Sequence, residues 1–255
     1  MLPDSGSTGP GSQPVLSVRD LVIDAVSDEG RERIVDHVSF DVMAGSVFGI
    51  VGESGSGKTL TMLAVMGLLP NNLRVAGGEV WLEGRNLLTL SAEDLRKIRG
   101  GRLAMIFQDP MTSLNPVINV GKQIGEIIEI HNPSLSRGAR KDRVVELLSL
   151  VGIPDPGRRY KQFPHEFSGG MRQRAMIAMA VANAPTLLIA DEPTTALDVT
   201  IQAQVMEILA EVRERTNTSM VLVTHDLGLV AESADEIGVM YGGRMMERAS
   251  VADVF

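Results

Sequence analysis

The sequence predicts an α/β fold: a mostly parallel β-sheet core, an antiparallel β section at its N-terminal end and an inserted helical section. Three observations predict it. The short apolar runs at 46–51 (SVFGIV), 186–190 (TLLIA) and 219–224 (SMVLVT) read as strands covered on both faces, the habit of parallel sheets. Segments with helical apolar spacing at 59–69 and 201–215 follow two of them, which gives the strand–helix alternation of an α/β core. Between about 116 and 163 the texture changes to helix after helix. With the helix that follows, this section is expected to span roughly 116–180.

Taken in order, residues 1–14 are rich in Gly, Ser and Pro and read as a disordered tail, leaving 15–255 as one domain. Residues 15–23 and 33–42 alternate and are β-prone, so both read as antiparallel strands. A Gly-rich turn follows 46–51, and 80–82 and 103–107 are further strand candidates. The spacing predicts helices over 120–130 and 140–151, separated by a turn at 133–138. Pro154, Pro156 and Gly157 then break the pattern before a helix over 171–181.

Composition narrows the class. The chain has 255 residues, 44% hydrophobic and 22% charged, which is enough for a sizeable core and inconsistent with disorder throughout. The net charge of −8 argues against a general nucleic-acid binder, so no nucleic-acid partner is expected. With no Cys, disulfides, zinc thiolates and Cys nucleophiles are excluded within these residues. No stretch approaches the roughly 18 apolar residues that span a bilayer, and the first residues lack the basic start and apolar run of a secretory signal.

Two motifs carry phosphate chemistry. Gly52, Glu53, Ser54, Gly55, Ser56, Gly57, Lys58 and Thr59, continuing into Leu60, fit G-x-x-x-x-G-K-[ST] between an apolar strand and a helix. The glycines let backbone N–H groups converge on phosphate oxygens at a helix N-terminus. Lys58 reaches the β- and γ-phosphates, and Thr59 ligates Mg²⁺. The core is therefore expected to be of the P-loop (RecA-like) kind. The run Leu187-Leu188-Ile189-Ala190-Asp191-Glu192 is an apolar strand ending in two carboxylates. Asp191 is placed to hold Mg²⁺ through water, and Glu192 to polarise the attacking water.

A third motif, Phe167-Ser168-Gly169-Gly170-Met171, opens a helix with a Ser N-cap and exposed glycine amides, a second phosphate-binding device in the same chain. Since the P-loop already supplies a cradle, this one is read as serving a nucleotide held by another subunit.

With these residues in this order, the chain resembles the nucleotide-binding subunits of ABC transporters over 15–255. Ser168, Gly169, Gly170 and Met171 resemble the ABC signature, with Phe167 and Met171 in place of the commoner Leu and Gln. Gln108 sits at the Q-loop position, which implies contact with Mg²⁺ or the lytic water and coupling to the transmembrane partner. Asp198, in Thr195-Ala196-Leu197-Asp198, resembles the D-loop that faces the opposite subunit, and His225 the switch histidine at the γ-phosphate.

The segments IFQDPMTSLNP (106–116) and ADEPTTALDVTIQAQ (190–204) are similar to the dipeptide/oligopeptide importer group. The resemblance implies a catalytic set of Glu192, His225 and Gln108, with ATP and Mg²⁺. It also implies a second ABC ATPase subunit, two permease subunits, a solute-binding protein acting through them, and a peripheral position on the cytoplasmic face of the membrane. The alternative is a soluble ABC-type ATPase of nucleic-acid or protein machinery. A GTPase would need an N-K-x-D motif and a repair ATPase a long coiled coil; neither pattern is present.

The chain departs from the resemblance in two places. The aromatic expected to stack on adenine falls at about Ala25, where no Phe, Tyr or Trp occurs before Phe40. Modest base discrimination is therefore expected, with a guanidinium of Arg31 or Arg33 as the alternative platform. The chain also ends at Phe255, before the C-terminal region that the resemblance implies, which in some members holds an iron–sulfur cluster.

Overall fold

The computed structural model describes residues 13–27, 30–108, 113–194 and 199–255. Ten strands and nine α-helices are assigned among them. β1 (Pro14–Ser27), β2 (Gly30–Met43) and β3 (Val47–Gly52) lead into α1 (Lys58–Met66). β4 (Leu73–Leu82), β5 (Arg85–Asn86), α2 (Ala92–Ile98) and β6 (Leu103–Ile106) follow. Next come α3 (Val120–His131), α4 (Arg137–Leu150), α5 (Pro156–Arg159) and α6 (Gly169–Ala180). The chain closes with β7 (Leu187–Asp191), α7 (Val199–Thr216), β8 (Ser219–Thr224), α8 (Leu227–Ser233), β9 (Glu236–Tyr241), β10 (Arg244–Ser250) and α9 (Val251–Val254).

Two sheets form. One has four antiparallel strands in the order β2-β1-β4-β5; the other has six in the order β10-β9-β3-β8-β7-β6, parallel except for the β9–β10 pair. Alternation along the parallel strands divides the core in two. Val47, Val51, Ala104, Ile106, Leu188, Ala190, Met220 and Leu222 face one cluster, shared with α3, α4, α6, α7 and α8. Phe48, Ile50, Leu103, Met105, Leu187, Ile189, Val221 and Val223 face the other, shared with α1, α2 and the antiparallel sheet. A strand covered on both faces has no reason to alternate polar and apolar, which is why these strands read as unbroken apolar runs.

The structure corrects several boundaries. β4 begins at Leu73, not near 80. A Cβ at Gly78 would lie 2.5 Å from the Asp20 carbonyl, so glycine marks a close approach to β1 at an irregularity in the ladder. α4 starts inside the expected turn because Ser136 caps it, its Oγ accepting from Ala139 N at 3.2 Å. The proline break near 156 carries one helical turn, α5, with Pro156 at its start, where the missing N–H is harmless. β9 and β10, joined by Gly242 and Gly243 with φ of 53° and 81°, and α2 are elements beyond those expected from the sequence.

Candidate active site

Four adjacent parallel strands deliver the site to one edge of the sheet. The P-loop leaves the C-terminal end of β3, His225 that of β8, Asp191 and Glu192 stand at that of β7, and Gln108 follows β6. That edge is where open α/β sheets hold their ligands.

The loop has the conformation its glycines allow. Gly52, Gly55 and Gly57 have φ of 155°, 82° and 97°. A Cβ at Gly52 would lie 2.1 Å from the Met240 carbonyl, so the close passage of β9 excludes any side chain there. α1 has no side-chain cap and no acidic residue in its first turn. Its first backbone bond runs from Thr61 N to Gly57 O (2.9 Å), leaving the amides of Lys58, Thr59 and Leu60 without intrahelical acceptors. Glu53, Ser54 and Gly55 are exposed; Ser56 is buried, and its Oγ has no hydrogen-bond partner. Leu60 instead packs into the core beside the antiparallel sheet. The buried Lys58 ammonium donates to the carbonyls of Gly52 (2.8 Å) and Glu53 (2.9 Å), which holds it within the loop. An uncapped helix start, an orphaned hydroxyl and an ammonium in one cradle fit a polyphosphate.

Beside the loop, Thr59 Oγ1 donates to Asp191 Oδ1 at 3.1 Å. Burial pushes the Asp191 carboxyl up from its ordinary 3.8 to about 6, against the hydrogen bond from Thr59, and the Glu192 charge adds to the rise. A hydroxyl and a buried carboxylate in contact are hard oxygen donors that fit Mg²⁺, which would supply the missing positive charge.

Glu192 continues the cluster. Its backbone has φ of 47°, in the left-handed region that costs a non-glycine residue about 1 kcal/mol or more, and its N–H donates to Val223 O at 2.9 Å. The side chain accepts from Gln108 Nε2 at 2.8 Å, and His225 Nδ1 lies 3.8 Å from its other oxygen. Residues from two neighbouring strand ends thus converge on one carboxylate.

The signature residues lie apart from this cluster. Ser168 caps α6, its Oγ accepting from Met171 N at 3.3 Å, and none of the described hydrogen bonds joins Ser168, Gly169, Gly170 or Met171 to the P-loop. A Cβ at Gly169 would meet nothing within 4 Å, so the start of α6 is open. One link that the sequence reading left without a role ties α6 to the β7 edge: the buried Gln173 Nε2 donates to Pro193 O at 2.6 Å. Asp198 lies outside the described residues.

Fold and site together define a P-loop nucleotide-binding cassette that hydrolyses ATP. The ABC transporter family model matches residues 35–195. The chain is 52% identical to a probable peptide ABC transporter ATP-binding protein, y4tR, of Sinorhizobium fredii, over 97% of this chain and 74% of that one. It is 51% identical to the dipeptide transport ATP-binding protein DppD of Bacillus subtilis, over 95% of this chain and 72% of the relative. Among solved structures, that of a dimeric bacterial ABC transporter cassette, MJ0796, superimposes with a TM-score of 0.82 at 25% identity, over 92% of this chain and 98% of that one. The chain belongs to the ABC transporter family, as one of its ATP-binding proteins.

Proposed function

We propose that this chain is the ATP-hydrolysing subunit of a peptide importer, acting on the cytoplasmic face of the membrane as a peripheral partner of two permease subunits. The observation that carries the catalytic part is the convergence of Gln108 and His225 on Glu192, beside the Thr59–Asp191 pair and the P-loop. The peptide cargo and the uptake direction come from the relatives, because no site residue faces a transported solute. A solute-binding protein delivering peptide to the permease completes the assembly.

Each residue then has a task. The loop amides, Ser56 and Lys58 take the phosphates, with Lys58 exchanging its two carbonyl partners for phosphate oxygens. Thr59 and Asp191 would hold Mg²⁺, which would supply positive charge against the phosphates. Glu192 orients and polarises the attacking water, Gln108 fixes one of its oxygens, and His225 faces the γ-phosphate. A second cassette, arranged head to tail, lays its Ser168, Gly169, Gly170 and Met171 against this chain's nucleotide, with Asp198 at the dimer seam. The γ-phosphate is then the contact that distinguishes the closed pair from the open one.

Movement has a physical route outward. An apolar groove of about 390 Å³ lies between α1, β6, α3 and α6, with Leu68, Phe107 and Ile130 at 39%, 40% and 63% exposure. It begins one residue before Gln108, so a permease segment seated there senses the γ-phosphate side of the site.

The test separates binding from chemistry. Glu192→Gln keeps the shape and the acceptor for Gln108, so it binds MgATP while phosphate release falls on the order of 10²-fold or more. Lys58→Ala weakens nucleotide binding itself. Near-parental hydrolysis by Glu192→Gln would remove Glu192 from its role.

A further inference from the structure

A cavity of about 900 Å³, within the size range of small-molecule sites, opens between the β1–β2 and β9–β10 pairs. Its walls include Asp24, Arg31, Arg33 and Asp36 on the β1–β2 side, and Tyr241 and Arg244 on the β9–β10 side. Both walls are tied to the phosphate cradle by backbone. Gly243 N donates to Ser56 O (3.2 Å), and Asp36 N donates to Gly243 O (2.8 Å). A Cβ at Gly57 would meet Val35 at 3.1 Å. A nucleotide with its phosphates on the amides of Lys58 and Thr59 therefore has this cavity beside it for the base.

Within the cavity, Arg33 is held in a particular way. It pairs across the strands with Asp24, its Nε donates to Asp24 Oδ1 at 3.3 Å, and its NH1 donates to Asp36 Oδ1 at 3.1 Å. Arg244 holds the other oxygen of Asp36 at 2.7 Å. Guanidinium hydrogen bonds lie in the plane of the group, so carboxylates at its edges fix the plane and leave its faces open. The side chain is 49% exposed. Ala25 is not part of the cavity wall; its neighbour Asp24 is, since successive side chains on a strand point to opposite faces. An aromatic at 25 would therefore miss this cavity.

We propose that the base of the bound nucleotide stacks on the Arg33 guanidinium, clamped flat by Asp24 and Asp36, in place of an aromatic side chain. This rests on the nucleotide-binding reading above. Stacking on a guanidinium is indifferent to which base supplies the π-face, so ATP and GTP both use it.

The test compares MgATP and MgGTP with magnesium tripolyphosphate, which has phosphates and no base, by calorimetry on the full chain. The parent binds ATP more tightly than tripolyphosphate. Arg33→Ala loses about tenfold for both nucleotides, which is about 1.4 kcal/mol, and leaves tripolyphosphate unchanged. Arg33→Lys keeps the charge for Asp24 and Asp36 but not the plane, so it shows the same loss in a chain whose melting temperature stays parental.

Equal affinity of the parent for ATP and tripolyphosphate would overturn the base site and leave the ATPase reading standing. Parallel loss of nucleotides and tripolyphosphate in Arg33→Lys would do the same. Loss of base-dependent affinity in Tyr241→Ala but not in either Arg33 variant would move the platform to the β9–β10 wall. A parent that binds neither ATP nor tripolyphosphate would overturn the phosphate site itself.

Discussion

Asp191 is 2% exposed and carries a carboxyl pushed up to about 6, so at neutral pH the nucleotide-free protein holds a buried negative charge that its surroundings do not fully offset. A carboxyl raised above its unfolded value favours folding when protonated. Its contribution is intact below about pH 4 and is lost as pH rises through 6, a difference on the order of 2–3 kcal/mol. Asp191→Asn keeps an acceptor for Thr59 and removes the charge. The variant is therefore expected to melt higher than the parent at pH 7.5, with the gap closing towards pH 4. In the same scans, MgATP should raise the parent's melting temperature by more than the variant's. A variant that melts below the parent at pH 7.5 would show that Asp191 is held by contacts other than those described. The residues of this cluster were legible in the sequence because each follows a strand and belongs to a contiguous motif. The orphaned Ser56 Oγ and the clamp on Arg33 were not, since the first depends on burial and the second on Asp24, brought across the strand pair to Arg33.

At the scale of elements, α6 has a start open at Gly169 and a body anchored by the buried Gln173. A helix N-terminus with an open glycine face is suited to a phosphate from outside the chain. In the proposed sandwich, Glu192→Gln accumulates an ATP-dependent dimer, or a pair with a sister subunit. Adding Ser168→Arg should abolish it by placing bulk against the partner's phosphates. Light scattering that gave the same ATP-dependent dimer with and without Ser168→Arg would defeat the sandwich. Ser168 is an N-cap, so part of the effect could come from the lost cap, worth about 1 kcal/mol. Ser168→Ala, which loses the cap without the bulk, provides the control. Elements were legible where one signal ruled, as in the apolar run of β8 and the helical spacing of α3. They were misread where a residue type has two meanings. Pro156 reads as a break, although it opens a helical turn.

Across the whole molecule, the parallel sheet separates two cores, one with the antiparallel sheet and α1, the other with α3, α4, α6, α7 and α8. The apolar groove draws on both, since Met66 and Met105 belong to the first and Met176 to the second. Its buried methionines form the floor, and Leu68, Phe107 and Ile130 offer the apolar surface to another chain's side chains. Among the described residues no helix is long and apolar enough to cross a membrane, so in the proposed assembly attachment falls to such a surface. Ile130 is the most exposed of the groove's large apolar residues, and it lies on α3, outside the nucleotide cluster. Ile130→Glu should change stability by no more than about 0.5 kcal/mol, as exposed substitutions do. It should also leave the ATPase rate of the isolated subunit at the parental value. Against an apolar permease segment, however, the carboxylate would be taken out of water in a groove whose basic side chains are Arg96, Arg99 and His131, a cost of several kcal/mol that pairing with them offsets only in part. Co-expression with the permease pair should then yield membranes depleted of the variant and retaining the parent. Equal recovery of both on the permease would place the docking surface elsewhere on the molecule.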